Sequence, residues 1–86
     1  MLVATNYVSG KVMAGYVREK VLYIYSGGAN TFNQYDTSGA YVGQVSDEGD
    51  CDLFMQTLAD QDVEVNRWEL VAKSAENINL SNYEMY

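Results

Sequence analysis

The hydrophobic positions of the first half of the chain fall in short runs rich in Val, Tyr and Thr, punctuated by glycine and free of proline. That pattern predicts strands near Leu2 to Val8, Val12 to Val17, Lys20 to Tyr25, Thr31 to Asp36 and Ala40 to Val45. Ser9-Gly10 turns the first pair, Ser26-Gly27-Gly28-Ala29-Asn30 forms the central break, and Thr37-Ser38-Gly39 closes the firmest hairpin. Residues 10–25 also carry a competing helical pattern, because Met13, Val17, Val21 and Ile24 recur at helical spacing behind Ser9. Gly10, Gly15 and the β-branched residues weigh against that helix.

The period changes after residue 49. Cys51, Phe54, Met55 and Leu58 stand at i, i+3, i+4 and i+7, which predicts an amphipathic helix from Asp50 to about Asp60 packed on the sheet. Asp50 is the expected N-cap, and Asp52 lies near the positive end of the helix dipole. Asp60 would meet the negative end, at a cost of about 0.3–1 kcal/mol. Beyond it, Val63 to Ala72 and Ile78 to Tyr83 read as strands. A second helix competes for the first of these, because Asn66 and Glu69 form a capping-box pattern and Trp68, Val71, Ala72 and Ala75 lie on a helical stripe. Residues 82–86 read as a polar, frayed tail. The expected fold is α+β: a small antiparallel sheet of about five to seven strands against one amphipathic helix, with room for a second, in a single domain spanning 1–86.

Composition supports a folded core, since 48% of the 86 residues are hydrophobic and eight Tyr, two Phe and Trp68 supply aromatic area. Cys51 is the sole cysteine, so no internal disulfide can form. No run has the length of a membrane helix, and residues 1–6 lack the pattern of a secretory leader. A cytoplasmic location is expected, in the cytoplasm of a host if the protein is virus-encoded.

Charge sharpens the picture because it is regional. Residues 1–45 sum to +1 and residues 46–86 to −8, giving the net −7. Seven acids lie between positions 47 and 64 without a base: Asp47, Glu48, Asp50, Asp52, Asp60, Asp62 and Glu64. Such a surface repels nucleic acid and anionic membranes and favours a basic partner.

Candidate chemistry is sparse. The chain has no histidine, the commonest general base near neutral pH, and one cysteine cannot make a zinc site. Asp50 and Asp52 beside Cys51 oppose a reactive thiolate, so core packing is the expected role of that residue. An EF-hand starting at Asp60 fails at Val65 and Val71, where Gly and Glu are required. The glycine pair of residues 26–30 lacks the Gly-Lys-Ser/Thr ending of a phosphate loop. No enzyme activity, cofactor or metal is expected.

The seven acids are instead the expected partner-binding residues. If residues 60–64 are extended, Asp60, Asp62 and Glu64 project about 6–7 Å apart, similar to phosphates along a strand. A helix about 15 Å long joins them to Asp47–Asp52 in one ridge. In size, acidity and lack of catalytic groups the chain resembles the small anti-defence proteins of phages and mobile elements, including anti-CRISPR and DNA-mimic inhibitors. Glu64-Val65-Asn66-Arg67-Trp68-Glu69-Leu70-Val71 is also similar to a late stretch of the uracil-DNA glycosylase inhibitor family. That family's acidic N-terminal helical region has no counterpart here, and no residue role carries over. Together these features favour a non-enzymatic inhibitor occupying a basic nucleic-acid-binding surface of a host protein or nucleoprotein complex. The alternative is a small assembly protein, a homo-oligomer built through an exposed sheet face or edge carrying Tyr16, Tyr23, Tyr25, Tyr35 and Tyr41. A carboxylate-based enzyme is the third class, and acidity that serves only solubility is the plain reading of the same charges.

Overall fold

The computed structural model describes residues 1–8, 11–26, 30–60, 78, 79, 81 and 83–85. Five strands follow one another as an antiparallel meander: β1 (Leu2–Val8), β2 (Lys11–Arg18), β3 (Val21–Tyr25), β4 (Thr31–Tyr35) and β5 (Tyr41–Ser46). A helix, α1 (Glu48–Asp60), follows, and a two-residue strand, β6 (Glu84–Met85), pairs with β1 to give the order β5-β4-β3-β2-β1-β6. The fold is therefore α+β, with all five expected strands present. Residues 11–18 and 21–25 are strand, so pairing and β-branching prevail over the helical spacing of Met13, Val17, Val21 and Ile24. Among the described residues no helix is long and apolar enough to cross a membrane.

Successive residues of a strand face opposite sides of the sheet, and here both sides are apolar. On one side Val3, Ala14, Tyr16, Tyr25 and Phe32 pack with Cys51, Phe54 and Leu58 of α1. Phe32 sits at the centre, in edge contact with Tyr16 (5.1 Å), Tyr25 (5.6 Å) and Phe54 (5.7 Å). On the other side Ala4, Met13, Leu22, Ile24 and Tyr35 pack with Ile78 and Tyr83. The tyrosines therefore do not form an exposed sheet face. Tyr16, Tyr25 and Tyr35 are buried, and Tyr23 and Tyr41 are half-buried against the two clusters, because each side of the sheet has a layer over it.

Three boundaries differ from the expected ones. The β2–β3 turn falls on Glu19 and Lys20, both at positive φ (51° and 65°), the sign pattern of a type I′ hairpin turn normally made by Asn-Gly. The C-terminal segment is not a frayed tail where it is described, since Glu84 pairs with Thr5 and Met85 with Ala4. Ile78, Asn79 and Ser81 are not in a strand, in contrast to the strand expected over 78–83. The segment expected as strand or second helix over 63–76 lies outside the described residues.

The β4–β5 turn is tied on both sides. The Asp36 carboxylate accepts hydrogen bonds from the Ser38 amide (2.9 Å), the Ser38 hydroxyl (2.6 Å) and the Ala40 amide (3.1 Å). Gly39 adopts φ +85°, and its carbonyl accepts the Ile78 amide at 2.8 Å. A Cβ on Gly39 would lie 2.0 Å from the Ile78 carbonyl oxygen. In the same apolar cluster as Ile78, the buried Tyr83 hydroxyl has no hydrogen-bond partner among the described residues, and burial, aided by Tyr35, pushes its pKa up to about 12.

Two expectations follow. Gly39→Ala costs more than about 1 kcal/mol, whereas Gly49→Ala, in α1 with only an ordinary contact to Asp47, gains about 0.4–1 kcal/mol. Tyr83→Phe removes an unpaired buried hydroxyl and leaves stability unchanged or higher, instead of costing the 1–3 kcal/mol or so of a lost satisfied group. Urea denaturation midpoints of the three variants check both.

Candidate protein-binding surface

The sequence places a dense run of carboxylates at the start of α1, and their local roles decide which of them face solvent. The Asp47 carboxylate accepts the Asp50 amide at 2.9 Å, and its carbonyl accepts the Cys51 amide at 3.0 Å. Asp47 is thus the N-cap, and the helix begins at Glu48; the cap expected at Asp50 lies three residues too late. The Asp47 amide donates to the Asn30 carbonyl at 3.1 Å, so the helix start is fastened to the beginning of β4.

Asp50, freed from capping, turns back towards the sheet. It accepts two hydrogen bonds from the Arg18 guanidinium, at 2.7 and 2.9 Å, and one from the Tyr16 hydroxyl at 3.3 Å. The fork geometry of guanidinium and carboxylate makes this a bidentate pair. The guanidinium carbon also lies 5.5 Å from the centre of the Tyr16 ring, which stacks on Tyr23 at 4.6 Å. The Arg18 hydrogen bonds hold the Asp50 carboxyl below the usual carboxylate range, against an opposing effect of burial. Burial, with the Asp50 charge beside it, pushes the Tyr16 hydroxyl well above the ordinary tyrosine range.

The remaining described acids stay outside. Glu48, Asp52, Gln56 and Asp60 follow one another at four-residue steps on the exposed side of α1, with Asp47 exposed at the start of the helix and Leu53, 48% exposed, beside the row. Four residues of helix advance about 6 Å, so the row covers about 18 Å. Glu48 and Asp52 form a like-charge i,i+4 pair, and the last helical turn holds Asp60 and no base. Among the described residues none of Asp47, Glu48, Asp52 and Asp60 has an ion-pair partner; the salt bridge found there joins Arg18 to Asp50.

The predicted ridge is therefore rearranged. Asp47, Glu48, Asp52 and Asp60 share the neighbourhood of one exposed helix flank, and Asp50 is engaged in a partly exposed ion pair with Arg18. Asp60 is the last helical residue, not the first of an extended segment, because the helix continues through it. Asp62 and Glu64 lie outside the described residues. Arg18 and Tyr16, which decide the role of Asp50, stand 32 and 34 positions away in sequence and carry no local motif that could have announced them.

Comparison of the chain with protein-family models, with curated proteins and with solved structures gives no match. The likeness of residues 64–71 to the uracil-DNA glycosylase inhibitors thus stands as a local one. Among the described residues no group of three or more Cys, Asp or Glu side chains is arranged to hold a metal ion. Cys51 is fully buried beside Phe54 in the core under α1.

The pH dependence of stability follows from Asp50 and Asp36, both with depressed folded-state pKa values, the latter through the Ser38 hydroxyl and the Ala40 amide. The unfolded chain binds their protons first as pH falls, so their stabilisation is complete above about pH 5 and is lost below about pH 4. Asp50→Asn lowers stability at pH 7 and flattens the loss between pH 5 and pH 2.5, leaving the part due to Asp36. Asp47→Ala costs about 1 kcal/mol through the missing cap, and Asp47→Asn costs much less. Urea titrations across this pH range measure all three.

Proposed function

We propose that this protein is a non-enzymatic inhibitor that lays the acidic flank of α1 on a basic surface with which a host protein or nucleoprotein complex normally holds nucleic acid. The reading places it with the anti-CRISPR and DNA-mimic type of phage or mobile-element anti-defence protein, acting in the host cytoplasm. It rests on one observation: Glu48, Asp52 and Asp60 are exposed and without an ion-pair partner among the described residues, on one flank of a helix whose last turn holds an acid and no base. Like charges four residues apart and an acid at a helix C-terminus each oppose folding by some tenths of a kcal/mol. A basic groove that repays this cost explains the arrangement.

Binding would be dominated by charge: Glu48 and Asp52 stand about 6 Å apart along the helix, comparable to successive phosphates, and Asp60 follows two steps on, past the uncharged Gln56. Leu53 supplies an apolar contact beside the row, which phosphates lack, and this favours a protein groove with an apolar floor. Asp62 and Glu64 continue the charge in sequence. Asp50 belongs to the scaffold in this scheme, holding the helix start in place through Arg18.

Affinity capture from bacterial lysate at low and moderate salt tests the reading. The native chain is compared with one carrying Glu48→Gln, Asp52→Asn and Asp60→Asn, substitutions that keep size and remove charge. The expected outcome is salt-sensitive recovery of a nucleic-acid-binding protein by the native chain, reduced about tenfold or more in the neutral variant, whose thermal stability stays equal or rises. Equal recovery of the same partners by both proteins overturns the role of this flank.

A further inference from the structure

The outer side of β5 ends the sheet, and among the described residues no strand lies beyond it. Val42 is 56% exposed, and Gln44 and Ser46 are exposed as well. The direction of its free backbone groups follows from the ladder. The Asp47 amide donates inward to Asn30, and pairing alternates along an antiparallel strand, so Val45 and Gly43 face β4, and the N–H and C=O of Ser46 and Gln44 point outward. Val42 is the extra residue of a bulge, because Gln34 pairs with Gly43 and Tyr35 with Tyr41. The edge thus offers a short row of donors and acceptors that another extended chain can pair with in place of water.

Charge indicates which chain. The protein carries −7 overall, yet from Val21 to Ser46 the single charged residue is Asp36, whose carboxylate is taken up by Ser38 and Ala40. Two copies of an acidic protein repel each other least at such a neutral stretch. We infer that β5 pairs antiparallel with β5 of a second copy, about a two-fold axis at Gln44, joining two sheets into one. Gln44 then faces its own counterpart across the axis, and Ser46 faces Val42 of the other copy. The acids that follow the strand are kept apart, since Asp47 lies opposite the beginning of the other β5. The two Asp47 residues stand about 20 Å from each other by strand rise, beyond the Debye length of about 8 Å. A parallel alignment would place them side by side. With about five residues contributed by each copy, the interface is smaller than the roughly 800 Å² per partner of stable complexes, so association is weak.

Sedimentation equilibrium of the full chain from about 20 μM to 1 mM is expected to show a monomer–dimer equilibrium strengthened by salt, the reverse of partner binding through the acidic flank. In the native chain, amide exchange at Gln44 and Ser46 should slow with rising concentration while that of β3 stays constant, a readout independent of any substitution. Gln44→Glu and Gln44→Lys should each weaken the dimer about tenfold, because either places like charges against each other on the axis. A lysine that strengthened association would overturn the two-fold placement. A monomer at 1 mM, or a dimer with unchanged exchange at Gln44 and Ser46, overturns the inference and leaves the edge to a strand from a different protein.

Discussion

The meander carries apolar side chains on both of its faces, and a sheet with that property is stable in water only when both faces are covered. Every other feature follows from meeting this demand within a short chain. The helix α1 covers one face, where Cys51, Phe54 and Leu58 close over Phe32 and its tyrosine neighbours. Ile78 and Tyr83 take part in covering the other, with Ile78 fastened to the β4–β5 turn and Glu84–Met85 fastened to β1. Burial of the tyrosines is a consequence, and it removes them from the surface where an assembly role would have placed them.

Placing α1 against the sheet also sorts the acids. The helix start is held by three contacts of different kinds: the Asp47 cap, the Asp47 amide on Asn30, and the Asp50 pair with Arg18. The last of these sets one carboxylate against the protein's own cation and leaves Glu48, Asp52 and Asp60 facing water. The same chain thus separates a structural acid from acids left exposed on the helix. Its neutral half, from β3 to β5, ends in an edge beyond which no strand lies among the described residues.

Much of the fold was legible in the sequence because its signals are local. Val, Tyr and Thr runs between glycine breaks located β1 to β5 to within a residue or two, and the Cys51, Phe54, Leu58 spacing located the buried stripe of α1. What failed depended on partners distant in sequence. Asp50, expected as the cap, is instead paired with Arg18 from 32 positions away, and Asp47 caps the helix. Lys20 left its strand because β2 and β3 pair in a register that puts the turn on Glu19 and Lys20 in spite of their unfavourable φ. Glu84 and Met85 became a strand because β1 offered an edge to pair with.

By itself, then, the sequence determined the placement of β1 to β5 to within a residue or two, the apolar stripe of the helix and the regional excess of negative charge, since each depends on neighbours within a turn or a strand. The tertiary structure alone decided which of the described carboxylates remain at the surface, which tyrosines are buried and which described strand ends the sheet. Those outcomes depend on what each group meets across the sheet, where a guanidinium, an aromatic ring or a second layer competes with water for it.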